Sequence, residues 1–556
     1  MKKILLVIVS ALCVLAFVSC DLAPTLDSIS NMIHDYATGI GGPYLKETEY
    51  SEPPSSSSES SSDEPTSTSS SSSSEESSSS SESSSEPEPP PPPPQEPLPE
   101  RNPVTFGQLL GANVTSQLPR KNDTASTIWE HTYNHKVFGA FRVYEDFETG
   151  FDVDDEGVII STGHMQYKAI QTLLLDIQFD LYIEPIEDDD LDQEEIPEGN
   201  PENPDPENPD PENPEEEEGS EQEGAEPLSE EQIVAKTYLD VAKALYTYAK
   251  EYQNSFSYNL AKFELGRHPE KHYTADEYAT LISYAYDTNG IDVDKSGLIA
   301  GNKDAKIVMG ALAEPDSQYI SDMMDALATL RAGERPVFVG AFNTEAFVPN
   351  LQTPEGYYLD EDGEFYKMIK LRDEKYNHVE FHVSAFGYDT LHPTSDYYAT
   401  EQWQANYMVR SYLIFAALGV DSASAYALQD KAGEDYDGFG VLREDGSAKI
   451  AQYYLFNTRR LLADYTFKSV VANSQGAMIY EFEKESTGER ILAVWNPVSD
   501  DSVIDNVQIA VNGEGTLVRL TSFNGYTFGI NDTLTPEDGF VKVDATATPQ
   551  FILLGE

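Results

Sequence analysis

The fold is decided by the run Ala261-Lys-Phe-Glu-Leu265 and by the loop that follows it, Gly266-Arg-His-Pro-Glu270. The run has the length and composition of a short β-strand, and the loop is mostly polar. A helical pattern follows over Ala275–Tyr286, and Thr274 before Asp276-Glu277 is a typical N-cap signal. Strand, loop and helix in this order form the building unit of a parallel α/β sheet.

The same unit recurs along most of the chain. Eight β-like runs are predicted, at Phe106–Gly111, Gly139–Tyr144, Ile177–Ile183, Ala261–Leu265, Ala305–Ala311, Val337–Phe342, Val379–Phe386 and Ala423–Leu428. Helical patterns lie between them, at Met165–Leu175, Glu230–Tyr252, Ala275–Tyr286, Ile320–Arg331, Gln402–Leu418 and Ile450–Tyr465. This alternation predicts a (β/α)8 TIM barrel over residues 103–466. A doubly wound sheet is the alternative, but the sequence contains no glycine-rich phosphate loop of the kind a nucleotide-binding sheet would carry.

The character of the sequence changes near Lys468. Short and partly alternating β-like runs follow, at Ala477–Phe482, Arg490–Trp495, Val507–Val511, Thr516–Leu520 and Phe540–Val543. Turns rich in Gly, Asn and Asp separate these runs. Residues 467–556 are therefore predicted to form an all-β sandwich behind the barrel.

The charge balance excludes one class of partner. Of 556 residues, 35 are Lys or Arg and 98 are Asp or Glu, so the formal net charge is −63. Nucleic-acid binding requires a basic surface, and we therefore expect no nucleic-acid partner.

The two cysteines, Cys13 and Cys20, both lie near the N-terminus, which excludes a disulfide or a cysteine-based metal site within the folded domains. We expect neither a metal nor another cofactor.

The N-terminal segment is typical of an exported protein. Lys2-Lys3 precede an apolar stretch, Ile4–Val18, which has the length of a signal peptide and is short for a membrane span. The stretch ends in Phe17-Val-Ser-Cys20, which resembles the lipobox of bacterial lipoproteins; an ordinary secretory signal is the alternative. We predict a signal peptide at 1–19 and a lipid on Cys20, so that this anchor alone holds the protein in the bacterial cell envelope.

Two segments are of low complexity. Residues 20–102 contain long Ser runs and then Pro89–Pro94, a composition that cannot bury enough apolar surface to fold and that predicts a disordered tether. Residues 187–231 carry acidic side chains and no basic ones, with the repeat Pro201-Glu-Asn-Pro-Asp205. This block is predicted to be a disordered insertion in the barrel, with a weak multivalent cation binder as the alternative.

Two strand ends carry a resemblance to a known family. The end of the fourth predicted strand and the residues after it read Phe263-Glu-Leu-Gly-Arg-His-Pro-Glu270. The corresponding segment of the seventh strand reads His382-Val-Ser-Ala-Phe-Gly-Tyr-Asp389. They resemble the strand ends of retaining glycoside hydrolases with a TIM barrel, particularly family 39-like members of clan A, which read Glu-Leu-Gly-Asn-Glu-Pro and Ser-Glu-Phe-Gly-Tyr-Asp there. Further matching pieces are Ala275–Asp287, Lys306–Leu312, Arg410–Leu413, Gly419–Asp421, Tyr426–Asp430 and Gly438–Lys449, so that the resemblance covers roughly residues 104–465.

The resemblance implies a chemistry that needs two carboxyl groups, an acid/base and a nucleophile, about 5–5.5 Å apart across the glycosidic bond. The acid/base position falls on His268, after Arg267 where the family has Asn, and the nucleophile position falls on Ala385. A methyl group cannot form a glycosyl ester, so the retaining route is closed at Ala385. The resemblance therefore implies a glycoside-hydrolase-like protein whose catalytic motifs are degenerate.

Several other residues are candidates for a site in the barrel. Four carboxylates could rescue hydrolysis, namely Glu264, Glu270, Glu345 and Asp389. A buried hydrogen-bond acceptor is the alternative role for Glu264, and a solvated surface charge is the alternative for the other three. Six residues could bind a ligand, namely Arg267, His268, Asn343, Tyr388, Tyr426 and Asp430. Trp129 and Trp403 could stack on sugar rings or pack in the core.

Three functions are compatible with this sequence. The leading hypothesis is a non-catalytic protein that binds a poly- or oligosaccharide or serves as a surface scaffold. The alternative is an active glycosidase that hydrolyses O-glycosidic bonds with relocated carboxylates. The third is a structural or adhesive surface protein in which the barrel is only a spacer.

The lipid anchor can be tested directly on Cys20. We expect the full chain to fractionate with membranes and Cys20→Ser to become extractable without detergent, because the substitution removes the atom that carries the lipid. Cys13→Ser is the matched control, since Cys13 lies inside the predicted signal peptide. Identical fractionation of Cys20→Ser and the unsubstituted chain would contradict the prediction.

Overall fold

The computed structural model describes residues 101–114, 137–145, 152–153, 159–161, 178–183, most of 238–250, and 262–554 with short gaps. All of them belong to one compact unit, Pro94–Glu556. The predicted signal peptide, the acidic insertion, Trp129 and the predicted tether up to residue 100 lie outside the described residues.

Eight parallel strands form a closed barrel. They are β1 (Leu110–Val114), β2 (Ala140–Glu145), β3 (Gln178–Ile183), β4 (Lys262–Arg267), β5 (Lys306–Ala311), β6 (Val339–Glu345), β7 (Glu380–Phe386) and β8 (Ser422–Ala425). Each strand pairs in parallel with the next one along the chain, and β8 closes the ring on β1. The prediction of an α/β barrel is thus confirmed. In such a barrel the carboxyl ends of all strands meet at one mouth.

The first predicted strand was placed wrongly in part. Phe106–Leu109, predicted as strand, form the short helix α1, and β1 begins only at Leu110. The Gln108 side chain accepts a hydrogen bond from the Thr105 N–H at 2.9 Å, which satisfies one amide at the helix start. Phe106 and Leu109 are buried. A short apolar run fits a buried helical turn as well as a strand, which is why periodicity could not separate the two.

Helices connect the strands. They are α2 (Pro269–His272), α3 (Ala275–Asp287), α4 (Leu298–Gly301), α5 (Ser317–Leu330), α6 (Pro354–Tyr358), α7 (Glu364–Lys375), α8 (Glu401–Ala417) and α9 (Ile450–Leu462), with further helical residues at 238–239, 241–247 and 249–250. The predicted N-cap of α3 is confirmed, because the Glu277 N–H donates to Thr274 Oγ1 and the Thr274 N–H donates to Glu277 Oε2. Among the described residues, no helix is both long and apolar enough to cross a bilayer.

Helix α7 has no counterpart among the predicted helices. Most of its residues are polar or charged, and only Phe365, Met368, Ile369 and Arg372 are buried. The Arg372 guanidinium donates to the carbonyl oxygens of Gly419 at 2.8 Å and Leu418 at 3.0 Å, just beyond the end of α8. A charged residue therefore takes a core-facing position of this helix, and this hides the apolar stripe in the sequence.

The C-terminal region is antiparallel. Its strands are β9 (Thr466–Val470), β10 (Met478–Glu483), β11 (Arg490–Trp495), β12 (Ile504–Ala510), β13 (Gly515–Arg519), β14 (Ile530–Leu534), β15 (Phe540–Ala545) and β16 (Gln550–Leu554). Six of them form one sheet in the order β9-β10-β11-β16-β13-β14, and β12 pairs with β15. Ile479 and Val494 of the larger sheet share a hydrophobic cluster with Val507 and Val541 of the smaller one. The two antiparallel sheets thus enclose a common core.

A buried polar joint connects the barrel to the C-terminal sheets. The Arg410 Nε on α8 donates to Glu355 Oε1 on α6 at 2.8 Å, and its Nη1 donates to the Val498 carbonyl at 2.8 Å. The indole N–H of Trp495, at the end of β11, donates to the same Glu355 Oε1 at 2.7 Å. One carboxylate therefore binds groups from both parts of the chain.

The interior of the barrel contains a buried ion pair. Arg142 on β2 donates two hydrogen bonds to the Glu264 carboxylate on β4, Nε to Oε2 and Nη2 to Oε1, both at 2.6 Å. Arg142 Nη1 also donates to Asn113 Oδ1 on β1 at 3.0 Å, and Asn113 Nδ2 donates to the Ser384 carbonyl on β7 at 2.7 Å. The network joins four strands across the barrel.

A second charged group lies where β4 and β7 begin. Lys262 Nζ is 2.5 Å from Glu380 Oε2, and His382 Nε2 is 2.9 Å from the same oxygen. Burial acts to raise the pKa of Glu380, but the hydrogen bond from His382 and the charge of Lys262 outweigh it and lower this pKa to about 2. The Glu380 carboxylate is therefore ionised over the whole physiological range.

The buried Arg142–Glu264 pair should support the fold. Glu264→Gln removes the carboxylate charge that faces the Arg142 guanidinium, and we expect the free energy of unfolding to fall by about 3–5 kcal/mol. Glu364→Gln is the matched control, because Glu364 forms an exposed pair with Lys367. This substitution should lower the free energy of unfolding by less than about 1 kcal/mol. Urea unfolding of the full chain measures both. An unfolding midpoint in Glu264→Gln equal to that of the control would refute the structural role of the pair.

Candidate functional site

The mouth of the barrel carries an unusual strand end at β4. Gly266 and His268 both have positive φ, +80° and +51°, so the chain turns sharply where β4 finishes. The His268 N–H donates to the Ala311 carbonyl at the end of β5, and Pro269 then starts helix α2. This local geometry fixes the backbone of Arg267 and His268 at the mouth.

Both of these side chains meet one carboxylate. His268 Nε2 is 2.9 Å from Glu345 Oε1, and Arg267 Nε and Nη2 are 3.2 and 3.1 Å from the same oxygen. Glu345 is the last residue of β6 and is buried, whereas the side chains of His268 and Arg267 are 19% and 32% exposed. Three of the predicted site residues are therefore brought together, and two of them remain accessible to a ligand.

The environment of Glu345 makes it a poor proton donor. Burial acts to raise the pKa of Glu345, but the hydrogen bond from His268 and the charge of Arg267 outweigh it and hold this pKa below its usual range. A general acid for glycoside cleavage needs the opposite shift, toward the working pH. Glu345 thus acts as an ionised acceptor that orients Arg267 and His268.

The end of β7 offers no carboxylate at Ala385. Ala385 is 1% exposed, and its carbonyl accepts a hydrogen bond from the Ala346 N–H at 2.8 Å. Its neighbour Phe386 packs edge-on against Tyr412 and Phe415 of helix α8. A methyl group in a packed wall provides neither a nucleophile nor a base.

The other rescue carboxylates are held by local contacts. Glu264 lies in the barrel interior, where it faces Arg142 and accepts from the Ala311 N–H at 3.3 Å. Asp389 is buried and caps the turn after β7, since its Oδ1 accepts from the Leu391 N–H at 2.8 Å. Glu270 Oε1 accepts from the Ala313 N–H at 3.0 Å, while its Oε2 is buried without a hydrogen bond to any described residue.

The remaining predicted ligand-binding residues do not form one surface. Asn343 on β6 is buried in the barrel, and its Oδ1 has no hydrogen-bond partner among the described residues. Tyr388 is buried with its hydroxyl 3.0 Å from Ser411 Oγ on α8, and burial raises its pKa. Tyr426 follows β8 and is partly exposed. Of these three, only Tyr426 presents a partly open side chain at a strand end.

Asp430 belongs to a tie between two loops. Lys449 Nζ, itself buried, donates to Asp430 Oδ1 at 2.8 Å, to Thr390 Oγ1 at 2.7 Å and to the Gly438 carbonyl at 3.0 Å. Burial raises the pKa of Asp430 and lowers that of Lys449, and each charge opposes the shift of the other. The pair fixes the loop after β8 against the loop after β7, so a structural role accounts for its contacts.

An aromatic cluster at the mouth was not predicted as a unit. The ring of Phe347, two residues after β6, lies 5.6 Å from Tyr397, 6.2 Å from Tyr426 and 5.5 Å from Phe439. The four rings come from three different loops. Only Tyr426 was recognised from the sequence, because a strand end gives a position in the fold whereas a long loop does not.

The groups at the mouth suit the binding of a ligand. Arg267 and His268 can donate hydrogen bonds to hydroxyl or carboxylate oxygens, and the aromatic cluster offers flat apolar faces. Among the residues that the structure describes, no three His, Cys, Asp or Glu side chains are placed to hold a metal ion.

Comparisons with known proteins bear on the fold. A scan against protein-family models finds no match, and neither does a search of curated proteins. Among solved structures, the chain is similar to a family 39 glycoside hydrolase from Bacteroides cellulosilyticus WH2, with a TM-score of 0.57 and 17% identity, covering 81% of this chain and 82% of that one. It is also similar to a glucosidase from Croceicoccus marinus, with a TM-score of 0.50 and 12% identity, covering 81% and 96%. The chain therefore has a glycoside-hydrolase-like fold, and the resemblance noted at the strand ends is confirmed to that extent.

Proposed function

We propose that this chain is an exported, lipid-anchored protein that binds carbohydrate through a glycoside-hydrolase-like body and does not hydrolyse it. One observation carries the proposal. At the two strand ends where the family resemblance expects catalytic glutamates, the chain has His268 and Ala385. Retaining hydrolysis needs both carboxyls, one to protonate the leaving group and one to form the glycosyl ester.

The contacts at the mouth support the absence of hydrolysis. Replacing the acid/base glutamate by His268 leaves a group that can donate a proton, but its Nε2 faces the ionised Glu345. Ala385 has no nucleophilic group, and its methyl group is buried. An enzyme that lost only one carboxyl would keep part of its rate, whereas here both functions are missing together.

Carbohydrate is the ligand class that the fold and the mouth favour. The two similar structures are those of a family 39 glycoside hydrolase and a glucosidase, and both names denote proteins that act on glycosides. A mouth that keeps hydrogen-bond donors, such as Arg267 and His268, beside aromatic rings suits sugar hydroxyls and ring faces. Fold alone does not assign a ligand, so this step is made by analogy.

The rest of the chain fits display outside the cell. A lipid on Cys20 would hold the chain at a membrane, and the Ser/Pro-rich tether of residues 20–102 would carry the folded body away from it. The two antiparallel C-terminal sheets would form a β-sandwich packed on the barrel through Glu355. The acidic insertion at 187–231 would remain a solvated loop.

One observation favours a second function, an active glycosidase with relocated carboxylates. Glu270 Oε2 is buried without a hydrogen bond to any described residue, and the loop that holds Glu270 follows the same strand end as His268. A carboxyl oxygen without a partner among the described residues is available to contact a bound ligand. Glu270 and Glu345 are therefore the two residues that a test of hydrolysis must include.

Release of reducing ends tests the proposal. We expect the purified full chain to release no more sugar than a protein-free blank from a broad panel of polysaccharides and oligosaccharides. An active family 39 glycoside hydrolase, assayed on the same panel, verifies that the substrates can be cleaved. Release above the blank that disappears in Glu270→Gln or Glu345→Gln would refute the proposal and identify the relocated carboxylate.

A further inference from the structure

A cavity of about 270 Å³ lies beside the barrel mouth. Its walls come from the loops after β6 and β7, from the first turns of helix α8, and from Ser499 between β11 and β12. It is separate from the ion cluster of Arg267, His268 and Glu345, since none of these three residues lines it. Of the residues named from the sequence, Tyr388 and Trp403 lie in its wall, whereas His268 and Ala385, at the two catalytic positions that the resemblance implies, do not.

The cavity is uncharged. None of the described side chains that line it is an Asp, Glu, Lys, Arg or His. The formal net charge of the whole chain is −63, and a protein of that charge repels anionic ligands at long range. An ion that left water for this cavity would find no opposite charge, so the occupant should be neutral.

Five of the eleven lining residues are aromatic. Trp403 and Tyr407 lie 5.3 Å apart between ring centroids on successive turns of α8. Tyr397 and Tyr398, from the loop after β7, are partly exposed, and so is Trp403. Flat π faces of this kind pack against the C–H faces of a pyranose ring, which are apolar although the edges of the ring carry hydroxyl groups.

Two exposed polar side chains of the cavity are available to bind the hydroxyl groups of a sugar. The side chains of Gln352 and Ser499 are exposed and make no side-chain hydrogen bond to any described residue. An amide and a hydroxyl can each donate and accept, as a ligand with several hydroxyl groups requires. The cavity thus offers aromatic rings to the faces of a sugar ring and amide or hydroxyl groups to its edges. A neutral sugar needs such a mixed lining.

The cavity also leads toward the mouth. Tyr397 lines the cavity and lies 5.6 Å from Phe347, which in turn lies 6.2 Å from Tyr426 at the end of β8. A row of aromatic rings thus runs from Tyr397, in the cavity wall, to Tyr426 at the end of β8. A chain of sugar residues could bind along this row, whereas an isolated small molecule would use the cavity alone.

We propose that the cavity lined by Trp403, Tyr397 and Tyr398 binds one uncharged sugar residue of an oligosaccharide chain, and is the principal carbohydrate site of the protein. This inference rests on the proposed function, since it locates the binding that the proposed function assumes. It moves the site away from the altered catalytic positions. Binding there does not depend on the catalytic carboxyls that the resemblance expects, because no Asp or Glu lines the cavity.

Calorimetric titration of the full chain with cellotetraose, xylotetraose and laminaritetraose tests the inference. We expect at least one of these neutral probes to bind, and Trp403→Ala to weaken that binding by at least about tenfold. Phe540→Ala is the matched control, because Phe540 is an exposed aromatic residue outside the cavity. The affinity of this variant for the probe should stay within about twofold of that of the unsubstituted chain. Thermal unfolding verifies that each variant is folded. Tyr398→Ala, on the other wall, replaces Trp403→Ala if the latter does not fold.

The outcomes separate the inference from the proposed function. Unchanged affinity in Trp403→Ala and Tyr398→Ala, together with a loss in Arg267→Ala, would place the sugar in the mouth, overturning the inference and leaving the proposed function standing. Absence of binding for every probe to the unsubstituted chain would overturn the inference and would remove the carbohydrate part of the proposed function as well. Loss confined to the cavity variants would support both.

Discussion

A closed parallel barrel must fill its own interior, and in this protein charged side chains do part of the filling. The bidentate contact between Arg142 and Glu264 joins β2 to β4, and Asn113 extends it to β1 and β7. Neither charge could be buried alone, because an isolated ion in a low-dielectric interior is strongly destabilised. The pair therefore commits Glu264 to the scaffold, and this commitment determines which carboxylates are left for the mouth.

The charge arrangement at the mouth differs from the pair of carboxyl groups that retaining hydrolysis uses. Two catalytic carboxylates repel one another, and an enzyme separates their pKa values so that one is protonated. Here Arg267 and His268 converge on the single carboxylate of Glu345. Their contacts lower the pKa of Glu345 and so favour its ionised form. At the nucleophile position that the resemblance implies, the chain has the buried methyl group of Ala385. The barrel retains its fold because its stability comes from the layers below the mouth and from the joint at Glu355.

Much of the barrel could be predicted from the sequence, and the failures have physical reasons. The strand at Lys306–Ala311 is apolar after its first residue, and that at Glu380–Phe386 is mostly apolar; their alternation with helices made both recognisable. The prediction of a strand at Phe106–Leu109 was wrong because four residues do not define a period. Helix α7 was missed because Arg372 occupies a core-facing position. At the site, residues on strand ends could be located, so that Arg267, His268 and Glu345 were named. Phe347, Tyr397 and Phe439 come together only through loops whose course the sequence does not determine.

The central claim is that the mouth has no carboxylate able to form a glycosyl ester. Incubation of the full chain with activated 2-deoxy-2-fluoro glycosides of several sugars, followed by intact mass measurement, tests it most directly, because these compounds trap the covalent intermediate of retaining enzymes. The account predicts no increase in mass under conditions in which an active family 39 glycoside hydrolase is fully labelled. A stoichiometric adduct that maps to Glu264, Glu270, Glu345 or Asp389 would contradict it.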